Sequence, residues 1–390
     1  DVIATTSSAA FTLTGGAGAA TLTGGSGNDS LVGGAGNDRI TLNGGFDTVD
    51  AGAGTDTIIV GGNISLTDSI DGGDGTDTVT AELDTSTVHQ FGTLVNVEVL
   101  TLDFTAAGTF KANNISAATV NVTVSDGAAT AVDIDNLATG KTVDLEEDDI
   151  NGVALDYVDT KDATATIRLS TAVVVDAGDL AVTDAQTVVI QSHGGANHAL
   201  GAVTLDATDT DFVTVSTAAA DSDLTQTGAF ASDDVVTVSI TAGHDNSSIS
   251  LGAGSTFLAT ADKLTSLTIS AEVEDDSDVT ITTLGGTAAA AALETISITA
   301  SADATIAAAT GADVTTGIID AAGADLTSIT LAANYTGSVI TVGAGGGDDI
   351  LADSAAAITV SAVSGAEVDV QGGVDITTIG QISASGAGTI

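Results

Sequence analysis

Residues 24–41 read GGSGNDSLVGGAGNDRIT and contain the same nine-residue unit twice. The phase of this unit can be followed without an insertion from Gly15 to Ile59, which accommodates five consecutive units. The unit returns as GGDGTDTVT at 72–80, and a looser copy, GAGGGDDIL, stands at 343–351. A short strict period is a severe constraint on the fold, because every unit must then adopt nearly the same local structure.

Two positions of the unit keep their chemical character. The eighth position is aliphatic in every copy, and the sixth is an aspartate in every copy except the first, which has Ala20. The sixth-position aspartates are Asp29, Asp38, Asp47, Asp56, Asp77 and Asp348. A flexible glycine-rich linker would not keep an aliphatic residue in phase, so we interpret the units as folded structure.

Elementary chemistry suggests what such a unit does. Its glycines permit a tight turn, and its last three residues suit a short strand with one inward aliphatic side chain. One buried aliphatic residue cannot stabilise a unit alone, so the units must stack, and stacking brings carboxylates together that would repel one another. A hard cation bound by oxygen ligands removes that repulsion. Calcium suits such a site better than magnesium, which demands stricter geometry. We therefore predict that the sixth-position aspartates are calcium ligands.

These residues resemble the RTX nonapeptide GGxGxDxUx, a calcium-binding repeat of parallel β-helices. The resemblance implies that two nonapeptides form one coil. Asp29 and Asp47 would then share one side of the roll, with Asp38 and Asp56 on the other. Asp77 and Asp348 match the motif but have no matching unit two repeats away, and Ala20 departs from the pattern.

The remainder of the chain has a different pattern. From residue 95 onward, short alternations rich in Val and Thr, such as VNVTV at 120–124 and TVVIQ at 187–191, recur roughly every 20 to 33 residues. Such period-two alternation predicts β-strands. We predict an all-β chain in which a calcium-binding parallel β-roll continues into an irregular β-solenoid, with β-sandwich modules as the alternative. The predicted domains are a lead-in strand at 1–14, the roll at 15–80, and the solenoid at 81–390 with an RTX-like calcium turn near 343–351.

Charge limits the partners of the chain. It has 53 Asp and Glu against 6 Lys and Arg, which gives a formal net charge of −47, yet 43% of its residues are hydrophobic, enough for a folded core. An acidic surface disfavours nucleic acid as a partner. Acidic clusters at 145–151, 206–211 and 272–278 are either further calcium sites or solvated loops. There is no cysteine, no apolar run long enough for a membrane span, and no secretory signal in DVIATTSSAA at the start. Export then uses another route or a segment not included in this sequence, and we expect type I secretion to the bacterial cell surface.

Sequence motifs of catalysis are absent. The histidines are His89, His193, His198 and His244, and HGGANH at 193–198, which we interpret as a loop, does not match the H-E-x-x-H of metalloproteases. The chain also lacks cysteine and a G-x-S-x-G elbow. We therefore expect that it is not an enzyme.

Three functions are compatible with these features. The chain resembles RTX-bearing surface-layer proteins of Gram-negative bacteria, which implies a structural protein that is secreted unfolded and then folded and assembled into a lattice or filament by calcium. The alternatives are an RTX adhesin or other cell-surface protein, and the non-catalytic region of a secreted RTX hydrolase or toxin. We favour the first, because about 310 residues follow the main repeats, whereas in such enzymes the repeats lie near the C-terminus. Expected partners are other copies of the chain, with cell-surface polysaccharide as a further candidate.

Overall fold

The computed structural model describes the chain with its side chains over residues 7–281, with gaps. The gaps are at 63, 84–87, 124–129, 147–149, 159–161, 170–174, 176, 195–196, 206–209, 233, 245, 254–256, 259–262 and 272–276. Residues 2–3, 130, 282–284 and the strands between 295 and 384 are described by their backbone alone.

The chain forms two compact units, Asp1–Ile167 and Arg168–Ile390. The strands of the first unit are β1 (Val2–Ile3), β2 (Thr12–Thr14), β3 (Thr21–Thr23), β4 (Ser30–Ala35), β5 (Arg39–Thr41), β6 (Thr48–Gly54), β7 (Thr57–Gly61), β8 (Ser69–Asp71), β9 (Asp74–Gly75), β10 (Thr78–Leu83), β11 (Val88–Gln90), β12 (Thr93–Val95), β13 (Val99–Phe104), β14 (Gly108–Lys111), β15 (Thr119–Thr123), β16 (Thr130–Leu137), β17 (Thr142–Leu145) and β18 (Ile150–Tyr157). Strand β19 (Thr164–Leu169) contains the boundary between the units.

The strands of the second unit are β20 (Leu180–Thr183), β21 (Thr187–Ser192), β22 (Asn197–Leu200), β23 (Val203–Leu205), β24 (Phe212–Thr217), β25 (Asp223–Gln226), β26 (Phe230–Ala231), β27 (Thr237–Ala242), β28 (Ser248–Leu251), β29 (Ser266–Ala271), β30 (Asp278–Leu284), β31 (Thr295–Ala300), β32 (Thr305–Thr310), β33 (Ile318–Gly323), β34 (Leu326–Leu331), β35 (Val339–Val342), β36 (Gly346–Ala352), β37 (Ile358–Ala362), β38 (Glu367–Gly372) and β39 (Ile379–Ala384). No helix occurs in the described part of the chain, and so none there could cross a membrane.

Successive coils of the first unit stack their strands in parallel. One sheet has the order β1-β3-β5-β7-β10-β13-β15-β17. A second sheet has the order β2-β4-β6-β8-β12, with β9 beside β6, and a third has β11-β14-β16-β18. Each chain segment therefore crosses from one sheet to another before it returns one coil later, as parallel pairing requires.

The register of these sheets follows the eighth position of the repeat. Leu22 pairs with Ile40, Ile40 with Ile58, and Ile58 with Val79. These side chains are fully buried, so they form a continuous aliphatic column inside the coil. Burial of each such side chain contributes about 1.5–3 kcal/mol. The step from Leu22 to Ile40 is two nonapeptides, which confirms that two units make one coil.

The second unit repeats this construction with longer coils. Its strands form the orders β21-β24-β27-β29-β31-β33-β35-β37-β39, β22-β25-β28-β30-β32-β34-β36-β38 and β20-β23-β26, all parallel. Val188, Val213 and Val238 occupy equivalent register positions and are buried. Phe230 packs edge to face on Phe257 in this core, with 4.9 Å between the ring centroids.

The predicted all-β solenoid is confirmed, and the β-sandwich alternative is wrong, because every strand pairing described within the two units is parallel. The predicted domain limits at residues 14 and 80 stay a prediction. In the acidic clusters at 145–151, 206–211 and 272–278, residues 147–149, 206–209 and 272–276 lie outside the described residues.

Candidate metal centre

The predicted aspartates lie in the turns that precede the strands, and their side chains are buried. The relative exposures of Asp29, Asp38, Asp47, Asp56 and Asp77 lie between 0 and 3%. Asp68, which the sequence did not single out, is equally buried at 2%. A buried carboxylate needs hydrogen bonds or a cation to remain charged.

Each aspartate binds the backbone of the coil before it. Oδ1 of Asp47 accepts the N–H of Asp29 at 2.8 Å, and Oδ1 of Asp56 accepts the N–H of Asp38 at 2.7 Å. The same bond links equivalent positions along the stack and defines two columns. The first column is Phe11, Asp29, Asp47 and Asp68, and the second column is Ala20, Asp38, Asp56, Asp77 and Glu98. The hydrogen bonds therefore place Asp29 with Asp47 and Asp38 with Asp56, as the resemblance predicts.

The same bonds reach the turns of the first coil described. The N–H of Phe11 donates to Asp29 Oδ1 at 2.8 Å, and the N–H of Ala20 donates to Asp38 Oδ1 at 2.6 Å. Each carboxylate thus reaches toward the preceding coil. Phe11 and Ala20 take part in the columns through their backbone N–H groups alone.

Two column members were missed because the period changes. The N–H of Asp47 donates to Asp68 Oδ1 at 3.0 Å, and the N–H of Asp77 donates to Glu98 Oε2 at 2.8 Å, each across 21 residues instead of 18. The expectation that Asp77 lacks a neighbour is wrong, because its Oδ1 accepts the N–H of Asp56 at 2.8 Å. One signal could have found both: an acid two residues before a buried aliphatic residue, as in Asp68 with Ile70 and Glu98 with Leu100.

The fifth position of the repeat also bonds between coils. Asn28 Oδ1 accepts the N–H of Phe46, and Asn37 Oδ1 accepts the N–H of Thr55, both at 3.0 Å. These bonds run toward the following coil, opposite in direction to those of the aspartates. The asparagines of the two best copies therefore satisfy turn N–H groups that would otherwise need water.

The second carboxylate oxygens differ between the columns. In the first column, Asp29 Oδ2 accepts the N–H of Gly25 at 2.6 Å and Asp68 Oδ2 accepts the N–H of Ser65 at 3.0 Å. In the second column, the Oδ2 atoms are buried without a hydrogen-bond partner among the described residues. They belong to Asp38, Asp56 and Asp77. Three orphaned carboxylate oxygens are costly to bury unless something else binds them.

Burial also shifts the proton affinity of these groups. It raises the pKa of Asp47 to about 6, with Asp68 and Asp29 adding repulsion while the hydrogen bond from the Asp29 backbone opposes the shift. Burial likewise raises the pKa of Asp77 to about 6, again against a backbone hydrogen bond, and Asp56 and Glu98 add to it. The pKa values of Asp56 and Asp68 are raised for the same first reason.

One of the orphaned oxygens lies close to a backbone carbonyl oxygen of the following coil. A Cβ placed on Gly33 would lie 2.4 Å from Asp38 Oδ2 and 2.3 Å from the carbonyl oxygen of Ala51, so two oxygens from neighbouring coils face one small cradle. No three His, Cys, Asp or Glu side chains converge on a metal site within the described ranges. A cation here would thus take carboxylate and backbone carbonyl oxygens together, which is the donor set that calcium accepts.

The glycines of the second position allow the coils to approach this closely. Gly34 and Gly52 have φ of +118° and +106°, and a Cβ on Gly52 would lie 2.1 Å from the carbonyl oxygen of Gly34. Only glycine tolerates both the backbone conformation and the contact.

Two other predicted positions need comment. The interpretation of His198 as a loop residue is wrong, because it lies buried in β22, where Nδ1 accepts the N–H of Val175 at 3.1 Å and Nε2 lies 2.8 Å from the carbonyl oxygen of His193. Asp348 lies in β36, and its side chain is outside the described residues, so its predicted role as a ligand stays a prediction.

Comparison with known families agrees with the position of the columns. The family described as RTX calcium-binding nonapeptide repeat (4 copies) matches residues 14–49, 32–63 and 67–88. No curated protein matches the chain. The N-terminal region therefore carries RTX repeats, which bind calcium and are typical of secreted extracellular proteins.

Proposed function

We propose that this chain is a structural protein of a bacterial surface layer or another extracellular lattice. It leaves the cell unfolded by a type I route, and calcium outside the cell folds it and joins the copies. Its role is assembly, without catalysis. The observation that carries calcium-dependent folding is the second column, in which the buried Oδ2 atoms of the aspartates have no hydrogen-bond partner among the described residues.

Folding and ion binding are one event in this proposal. The carboxylates that would bind the ion also bond the backbone of the preceding coil, as Asp56 does with Asp38. Without a cation, stacking the coils buries charges that repel one another. A low calcium concentration, as in the cytosol, thus keeps the chain unfolded for export, and a higher one outside stabilises the stack.

The net charge of the chain supports assembly that depends on divalent cations. With a formal charge of −47, copies of the chain repel one another over about 8–10 Å at ordinary ionic strength. Divalent cations between acidic loops can join such surfaces, and strand edges can pair between copies. The net negative charge also disfavours nucleic acid as a partner, and the RTX repeats support a location outside the cell, which we place at the bacterial cell surface.

Electron microscopy of the full chain tests the proposal. We expect sheets, tubes or filaments in millimolar calcium and dispersed particles after chelation. Magnesium at equal concentration and ionic strength is the control, since it should not replace calcium. Particles that remain monomeric in calcium at high protein concentration would contradict the lattice and favour an adhesin, which a cell-binding assay would then detect.

A further inference from the structure

The second column continues beyond the last nonapeptide of the N-terminal region. That unit ends at Thr80, whereas the column ends at Glu98, whose Oε2 accepts the N–H of Asp77 at 2.8 Å. Glu98 therefore occupies the place that an aspartate holds in each earlier coil. The coil that contains it has no nonapeptide motif.

Asp77 has an oxygen that nothing in the described structure satisfies. Its side chain is 0% exposed, Oδ1 accepts the N–H of Asp56, and Oδ2 has no hydrogen-bond partner among the described residues. The charges of Asp56, Glu98 and Asp71 all act unfavourably on this carboxylate. A cation beside Oδ2 would remove both penalties.

The surroundings of that oxygen repeat those found inside the nonapeptide segment. A Cβ on Gly72 would lie 2.8 Å from Asp77 Oδ2 and 2.0 Å from the carbonyl oxygen of Asn96. The equivalent point on Gly33 lies near Asp38 Oδ2 and the carbonyl oxygen of Ala51. The same pair of oxygens therefore faces a glycine in both places, although Asn96 belongs to no nonapeptide.

Asn96 is held so that its carbonyl faces this space. Its backbone has φ of +52°, a left-handed conformation that asparagine tolerates better than most residues. Its Nδ2 donates to Asp71 Oδ1 at 2.8 Å, and the N–H of Gly72 donates to the carbonyl of Val95 at 3.0 Å. These two bonds tie the turn at 95–96 to the turn at 71–72.

We infer that Asp77, Glu98 and the carbonyl of Asn96 form a further calcium site, which joins the nonapeptide segment to the wider coils that follow it. This inference rests on the proposed function, because it adds an ion to the same calcium-dependent stack. Its consequence is that calcium stabilises the first coil beyond the repeats as well as the repeats themselves.

Calcium stoichiometry tests this site. Glu98→Gln keeps an oxygen that can accept the N–H of Asp77 but removes the charge, and Glu82→Gln makes the same change at an exposed position of β10. We expect equilibrium dialysis of the full-length chain to show one calcium ion fewer, or one ion bound at least about tenfold more weakly, for Glu98→Gln alone. Identical isotherms for the two variants, each folded by circular dichroism, would overturn the inference.

A second variant covers the case in which Glu98→Gln does not fold. Asn96→Ala lies at an exposed turn, keeps the carbonyl, and disfavours the left-handed backbone that aims it. We expect it to weaken one calcium ion several-fold, and an unchanged isotherm would overturn the site. The proposed function has its own readout: it fails if the wild-type chain folds without calcium, whereas this inference fails alone if the wild type needs calcium and both variants bind it normally.

Discussion

At the residue scale, the sixth-position aspartate has two separate tasks. One carboxylate oxygen accepts an N–H from the preceding coil, as Asp38 does from Ala20 at 2.6 Å. The other, Oδ2 of Asp38, is buried and lacks a hydrogen-bond partner among the described residues. The first task resembles a turn cap, which asparagine could also perform, whereas the second requires charge. The calcium ion proposed above would account for an aspartate at this position.

Replacing Asp38 tests whether a sixth-position aspartate contributes more to calcium binding and stability than an exposed acid does. We expect Asp38→Ala to lose one calcium ion and to lower the free energy of unfolding in calcium by about 1–3 kcal/mol, because the N–H of Ala20 loses its acceptor. Asp50→Ala, at an exposed position of β6, is the matched control. Equal changes in chelator sensitivity for the two variants would mean that the sixth position has no special weight.

The raised pKa values of Asp47 and Asp77, both about 6, predict an unusual pH dependence for the calcium-free chain. A folded-state pKa above the unfolded value means that the folded chain binds more protons between about pH 4 and 6. Stability should therefore fall as pH rises through 6. In saturating calcium this dependence should vanish or reverse, because the ion needs ionised carboxylates.

Circular dichroism of dialysed protein between pH 4 and 8 would measure this dependence, because the β-structure of the calcium-free chain should be lost as pH rises through 6 and be absent at neutral pH. β-structure of the calcium-free chain that increases between pH 5 and 7 would show that the columns are not the groups that limit stability.

The sequence predicts the ligand columns only where the period is strict. Asp29, Asp38, Asp47 and Asp56 follow from phase alone, because an unbroken period of nine fixes which residues stack. Asp68 and Glu98 do not, since three additional residues in each of those coils shift the phase. Which oxygens remain without a partner depends on turn geometry at single positions, such as Gly25 and Ser65, and no periodic pattern specifies that.

At the element scale, the coils are held by close backbone contact and by an aliphatic column. The glycine turns let neighbouring coils approach, and Leu22, Ile40 and Ile58 fill the interior between the sheets. The sequence predicted the strands well because alternation of Val and Thr directly reports which side chains face inward. It left parallel and antiparallel pairing open, because alternation alone is the same in both.

The glycine contact can be tested at two positions of the repeat. Gly52→Ala would place a Cβ 2.1 Å from the Gly34 carbonyl oxygen at a positive φ, and we expect it to destabilise the roll by more than about 1 kcal/mol. Gly44→Ala meets no atom within 4 Å and should be nearly neutral. Urea unfolding in saturating calcium would compare them, and a neutral Gly52→Ala would show that the coils are looser than described.

The aliphatic column can be tested with neighbouring isoleucines in β7. Ile58 is fully buried and Ile59 is half-buried. Truncation of Ile58 to alanine should cost about 2–5 kcal/mol because it leaves a cavity between coils, and the same change at Ile59 should cost clearly less. Equal unfolding midpoints for the two variants would contradict the burial of the Ile58 face of β7 in the core.

At the scale of the whole molecule, charge is the dominant constraint. The chain has 53 acidic residues and 6 basic ones, and each of its two units repeats one coil motif many times. Few cationic side chains are available to offset the acids; Lys263 with Asp234 is an ion pair in the second unit. Bound calcium is the natural counterion, so solubility, folding and association of copies should all depend on it.

Hydrogen–deuterium exchange of the full chain at neutral pH tests the central claim, that calcium folds the nonapeptide segment, most directly. Amides of residues 24–59 should exchange within seconds in chelator and in magnesium, and become protected as calcium rises, with a midpoint on the order of 10⁻⁴ to 10⁻³ M. Protection of residues 24–59 that is the same in chelator and in calcium would contradict the account.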